Sequence, residues 1–111
     1  MARLTSGGQV VCERCGIADA PLARVKGLLG RSDLSPGDGL LIRPTWSIHT
    51  AFMRFPIDVV FVGSDLRVLA IRENVRPWRA VWRRGAHAAL ELPAGEARRR
   101  RLAEGDELRL E

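Results

Sequence analysis

The chain has 111 residues, 46% of them apolar and 28% charged, which suits one globular domain with its own core and excludes a low-complexity or disordered polymer. No run of about 18 apolar residues occurs, so no membrane-spanning helix is expected. The formal charge of +5 favours an anionic partner, but seventeen of the eighteen basic residues are arginine beside much Ala, Gly, Leu and Val, so a GC-rich coding bias outweighs that signal.

Residues 1–10 lack the apolar stretch of an export signal, which leaves a cytoplasmic location as the expectation. In that compartment Cys12 and Cys15 are expected to be free thiols. A monomer is expected.

Residues 1–8 contain Thr5, Ser6, Gly7 and Gly8 and read as a flexible start. Gln9 to Arg14 is a plausible strand. Asp19 suits an N-cap and Pro21 the first turn after it. Leu22, Val25, Leu28 and Leu29 recur at helical spacing, which predicts a short amphipathic helix from Ala20 to Leu29, ended by Gly30. Leu34 to Gly39 reads as a loop with dense turn chemistry and precedes a short strand, Leu40 to Ile42.

The stretch from His49 to Phe61 is the most informative. Val59-Val60-Phe61-Val62 is short, apolar and turn-bounded, as in a strand buried on both faces. Asp58 stands at its mouth and needs a partner or water, because burying a lone charge is costly. An extended segment before Pro56 would put His49, Ala51, Met53 and Phe55 on one side, and Thr50, Phe52 and Arg54 on the other. Gly63-Ser64-Asp65 reads as a hairpin turn leading to a strand from Leu66 to Arg72. Asn74 to Gly85 reads as a loop or irregular strand. His87 to Leu92 is a strand, Glu96 to Ala103 a short helix ended by Gly105, and Leu108 to Leu110 a last strand.

Six or seven short strands without strand–helix alternation predict a mainly β fold. The expected form is a compact antiparallel sandwich or barrel, jelly-roll-like, with one or two short helices and residues 1–111 as a single domain. Val59, Val60, Phe61, Val68 and Leu90 are expected in its core.

Gly27-Leu28-Leu29-Gly30-Arg31, Gly39-Leu40-Leu41, His49-Thr50, Met53-Arg54, Pro56-Ile57-Asp58, Leu90-Glu91-Leu92-Pro93-Ala94-Gly95 and Gly105-Asp106 occur in that order. The ordered set resembles the uncharacterised family called domain of unknown function 192, over about Val10 to Leu110. The resemblance implies a compact, mainly β domain of bacterial or archaeal origin and no established activity. Many members read Trp-Met-Lys-Asn-Thr where this chain reads Phe52-Met53-Arg54-Phe55-Pro56. No role of that Asn-Thr pair carries over.

Two groups of residues could carry function. His49, Arg54 and Asp58, with Arg31 beside them and Trp46 and Met53 as walls, form a candidate site for a small polar or anionic ligand. A carboxylate-held histidine can work as a base, and arginine can clamp an anion at two points. The structural alternative is that Asp58 pairs with an arginine at the strand mouth. Arg76, Trp78, Arg79, Trp82, Arg83 and Arg84 interleave aromatics with cations, the pattern of a stacking platform for single-stranded nucleic acid. Its structural alternative is an ordinary loop with its tryptophans packed on the sheet, and Arg98 to Arg101 reads as a solvated face.

Cys12-Glu13-Arg14-Cys15 is a single Cys-x-x-Cys without a second pair, and residues i and i+3 of a regular strand face opposite ways. No metal or cofactor is therefore expected. The reading that ranks first is a ligand-binding or accessory module. Nucleic-acid binding is the alternative, and a hydrolase-type or metal-dependent enzyme comes third.

Overall fold

The computed structural model describes residues 2–19 and 33–111. The helix expected from Ala20 to Leu29, and Arg31, lie outside the described residues. The fold is mainly β. Seven strands form one curled sheet: β1 (Ala2–Ser6), β2 (Gln9–Ala18), β3 (Asp38–Ile42), β5 (Ile57–Val62), β6 (Val68–Val75), β8 (Ala88–Pro93) and β9 (Leu108–Leu110). Their order is β6-β5-β8-β3-β2-β1-β9. A separate two-stranded ribbon pairs β4 (Ser47–His49) with β7 (Ala80–Trp82).

The outer strands approach each other at one end. The Val68 amide donates to the Asp106 carbonyl and the Leu108 amide to the Leu66 carbonyl, so the sheet curls into a half-barrel. Every strand pair in it is antiparallel except β2 and β3, which run parallel. Parallel neighbours of this kind cannot be joined by a tight hairpin.

The sheet has a core on each face. Leu4, Val11, Leu41, Val60, Val62, Val68, Leu90, Leu92 and Leu108 fill the concave side. Ile42, Ile57, Val59, Phe61, Ala70 and Ala89 form the other core, which the ribbon covers with Ile48 and Val81. All six residues of β5 and all six of β8 are buried, and the five residues expected in the core are there. Strands covered on both faces can be apolar throughout, which is why the Val59–Val62 run was readable.

Several local expectations change. Residues 2–6 are not a flexible start: they form β1, whose other edge pairs with β9, and Leu4 is fully buried. The row proposed for residues 49–55 breaks after His49, where the chain turns and Phe52 adopts a left-handed φ of 65°. The helix near Glu96 is a single turn, α1 (Glu96–Arg99). Nor is the arginine run wholly solvated. Arg100 is only 11% exposed, bridges Glu13 at 2.7 Å and Glu96 at 3.2 Å, and donates to the Val10 carbonyl.

β2 also departs from strand periodicity. Leu4 opposes Cys12 and Ala2 opposes Cys15, so three steps on β2 match two on β1. One extra residue of this kind is a β-bulge. It turns both cysteines to the same side, and both side chains are fully buried.

Among the described residues, no helix is long and apolar enough to cross a membrane.

Candidate functional site

Thr50 organises the most unusual surface of the molecule. Its side chain is fully buried. Its hydroxyl donates to the Arg76 carbonyl at 2.6 Å and accepts from the Arg79 amide at 2.9 Å. Its backbone carbonyl accepts from both Met53 and Trp78. One residue thereby ties the turn after β4 to the loop before β7. That tie brings Phe52 and Trp78 together, with ring centroids 4.5 Å apart.

The ribbon has two unlike faces. Ile48 and Val81, paired across the strands, point inward. Ser47 and Trp82, and His49 and Ala80, pair on the other side and are exposed. Trp46 continues this edge, its carbonyl accepting from the Arg83 amide. Trp46, Phe52, Trp78 and Trp82 are 52%, 71%, 60% and 59% exposed, and Ile17 is the sole other large apolar residue so exposed among the described residues. The tryptophans therefore do not pack on the sheet. Exposed aromatics gathered in one place mark an interaction site more than a folding requirement.

Charge is divided in the same way. Residues 43–57 and 75–90 hold six arginines and no Asp or Glu. The rest of the chain has twelve basic and thirteen acidic residues, so these two segments account for the whole positive excess. Coding bias alone does not sort charge by location. Arg3, Arg14, Arg67, Arg98, Arg99 and Arg100 all meet carboxylates. Arg54, Arg76, Arg79, Arg83 and Arg84 make no ion pair among the described residues, and neither do Arg72, Arg101 and Arg109 outside these segments. Arg79 and Arg83 contact only backbone carbonyls, of Trp78 and Arg84.

Asp58, His49 and Arg54 have separate surroundings. Asp58 is fully buried, and its carboxylate accepts from the amides of Asn74 at 2.9 Å, Gly95 at 3.0 Å and Ala97 at 3.0 Å. Asn74 and Gly95 both have left-handed backbones, with φ of 52° and 93°. The carboxylate holds those two bends in place and needs no arginine. A shallow cleft of about 510 Å³ beside it is lined by Asp58, Glu73, Asn74, Gly95, Arg98 and Arg99, together with Ala94. His49 and Arg54 are exposed and do not line that cleft, Met53 is buried in the second core, and Trp46 is on the ribbon.

Glu91, part of the Leu90–Gly95 motif, is the buried side chain left without a full set of hydrogen bonds among the described residues. It is 3% exposed, and its Oε2 has no hydrogen-bond partner among the described residues. Burial pushes its carboxyl up to about 7. The available signal was a single charge inside an apolar strand. Among the described residues, no group of three or more His, Cys, Asp or Glu is placed to hold a metal ion.

The model of the DUF192 family, described as an uncharacterized ACR, matches residues 2–110. The chain belongs to the DUF192 family. No curated protein matches it. Among solved structures, it is similar to a protein of unknown function from Novosphingobium aromaticivorans DSM 12444, with a TM-score of 0.86 and 26% identity over 98% of this chain and 84% of that one. A proposed transcription regulator from Sinorhizobium meliloti 1021 is also similar, with a TM-score of 0.83 and 25% identity over 98% of this chain and 91% of that one. Both share the half-barrel fold with this DUF192 chain.

Proposed function

We propose that this protein is a binding module, acting as a cytoplasmic monomer, whose ribbon takes single-stranded nucleic acid. The observation that carries this reading is the coincidence of four exposed aromatic rings with five arginines, Arg54, Arg76, Arg79, Arg83 and Arg84, that make no ion pair among the described residues. Arginines without carboxylate partners are free to neutralise phosphates. Exposed rings offer stacking faces to unpaired bases, a contact that needs no particular sequence. The regulator from Sinorhizobium meliloti is compatible with this role, which for that protein is itself a proposal.

A small polar or anionic ligand is the second reading, favoured by the cleft beside Asp58. Against it, Arg98 and Arg99 at that cleft are already paired with Glu73 and Glu96.

The test is a titration of the protein with a single-stranded oligonucleotide, followed by tryptophan fluorescence at several salt concentrations. Five neutralised phosphates give a slope of about −3.5 in log affinity against log salt. A slope near zero, or binding to anionic phospholipid vesicles without binding to the oligonucleotide, would overturn the proposal.

A further inference from the structure

We propose that Cys12 and Cys15 form a dithiol site that closes to an internal disulfide by exchange with a low-molecular-weight disulfide. The bulge makes this possible. In a regular strand, residues three apart lie about 10 Å from each other and face opposite ways. Here the pairing of Cys12 with Leu4 and Cys15 with Ala2 shortens the span to about two strand steps, near 6.6 Å. That falls within the Cα separations that disulfides bridge, about 4.4–6.8 Å.

The surroundings favour the same chemistry. A hydrogen bond from the Cys15 thiol holds the Cys12 thiol below the usual range, while the same contact and burial push Cys15 up. A hydrogen bond from the Arg14 backbone amide and the positive charge of Arg100 also favour the Cys12 thiolate, while burial and the Glu13 carboxylate oppose it. Gly39 leaves room for this sulfur, since a Cβ there would sit 2.8 Å from Cys12 Sγ and 3.1 Å from the Glu91 carbonyl. Leu4, Leu41 and Leu92 fill the rest of the space.

The Cys12 thiolate attacks one sulfur of the reagent, forms a mixed disulfide and releases one small thiol. Cys15 gives up its proton, attacks the Cys12 sulfur and expels the second small thiol. The protein loses two hydrogens and two electrons, and the reagent gains both. Arg14, between the two cysteines, holds Asp38 at 2.6 Å and the Pro36 carbonyl at 2.9 Å, so the new bond would fix the entry to β3.

The experiment treats the folded full chain with oxidised glutathione, quenches it with acid, and reads mass and free thiols. The expected product has lost two hydrogens, carries no glutathione and has no free thiol. Replacing Cys15 (C15A) should stop the reaction at a glutathione adduct on Cys12. The proposal is overturned if the folded protein keeps both thiols after a small dithiol control is fully oxidised. Glutathione retained on wild-type protein, or a cross-linked dimer, overturns it as well.

Discussion

Trp78 rests against Phe52 at an interplanar angle of 59°, and both residues hold left-handed backbones, with φ of 64° and 65°. Bulky side chains rarely adopt this conformation, which costs about 1–2 kcal/mol per residue. The cost falls on two exposed rings that add nothing to the core, which fits a surface shaped for a partner. Replacing Trp78 by Gly should therefore raise stability in urea by about 1 kcal/mol while weakening oligonucleotide binding about tenfold or more. Equal affinity for the variant and the wild type would remove Trp78 from the interface.

Thr50 should matter to both halves of that surface. Thr50→Val keeps the side-chain shape but leaves the Arg76 carbonyl and the Arg79 amide without their partner. The expected loss is about 2 kcal/mol, together with weaker oligonucleotide binding as the two loops separate. Circular dichroism melts and fluorescence titrations of the same samples check both effects. An unchanged melting temperature would mean that water replaces the hydroxyl.

Glu91 gives a pH signature. Its folded pKa of about 7 lies above the ordinary 4.5, so the folded state binds this proton more tightly than the unfolded state. Its contribution to stability is complete below about pH 4.5 and is lost as pH rises through about 7, by about 3 kcal/mol in total. Glu13 and Glu96 work in the opposite sense, because their arginine partners hold them below the usual range and their contribution is lost in acid. Glu91→Gln should thus be more stable than the wild type at pH 8 and lose the decline between pH 5 and 8. Urea melts at those two pH values decide it, and parallel declines in both proteins would refute the assignment.

Asp58 is expected to be a folding residue. Asp58→Ala strands three amides at once, on β6, at Gly95 and on α1. A loss of about 3 kcal/mol or more is expected in a denaturant melt. Asp58→Asn keeps one acceptor oxygen and should lose less. If both variants melt like the wild type, the three hydrogen bonds do not support the fold.

Much of this was legible where the determinant is local. The Val59–Val62 run announced a doubly covered strand because its neighbours along the chain were all apolar. β1 was hidden because Thr5, Ser6, Gly7 and Gly8 look like a loop, and the strand owes its place to β9, more than 100 residues away. The cysteine pairing was hidden for the same reason, since a bulge exists only relative to the opposite strand. The exposed tryptophans were visible as a motif, but Phe52 was assigned to an extended row, and its approach to Trp78 depends on Thr50. Asp58 was recognised as a charge in need of a partner. That its partners are backbone amides depends on two left-handed bends that no residue type uniquely encodes.

The sorting of arginines onto the ribbon has a consequence in solution. With the excess positive charge confined to the two segments that carry the ribbon and a nearly neutral remainder, the molecule is unevenly charged. An approaching polyanion turns it ribbon-first before any contact forms, so added salt should slow capture more than it speeds release.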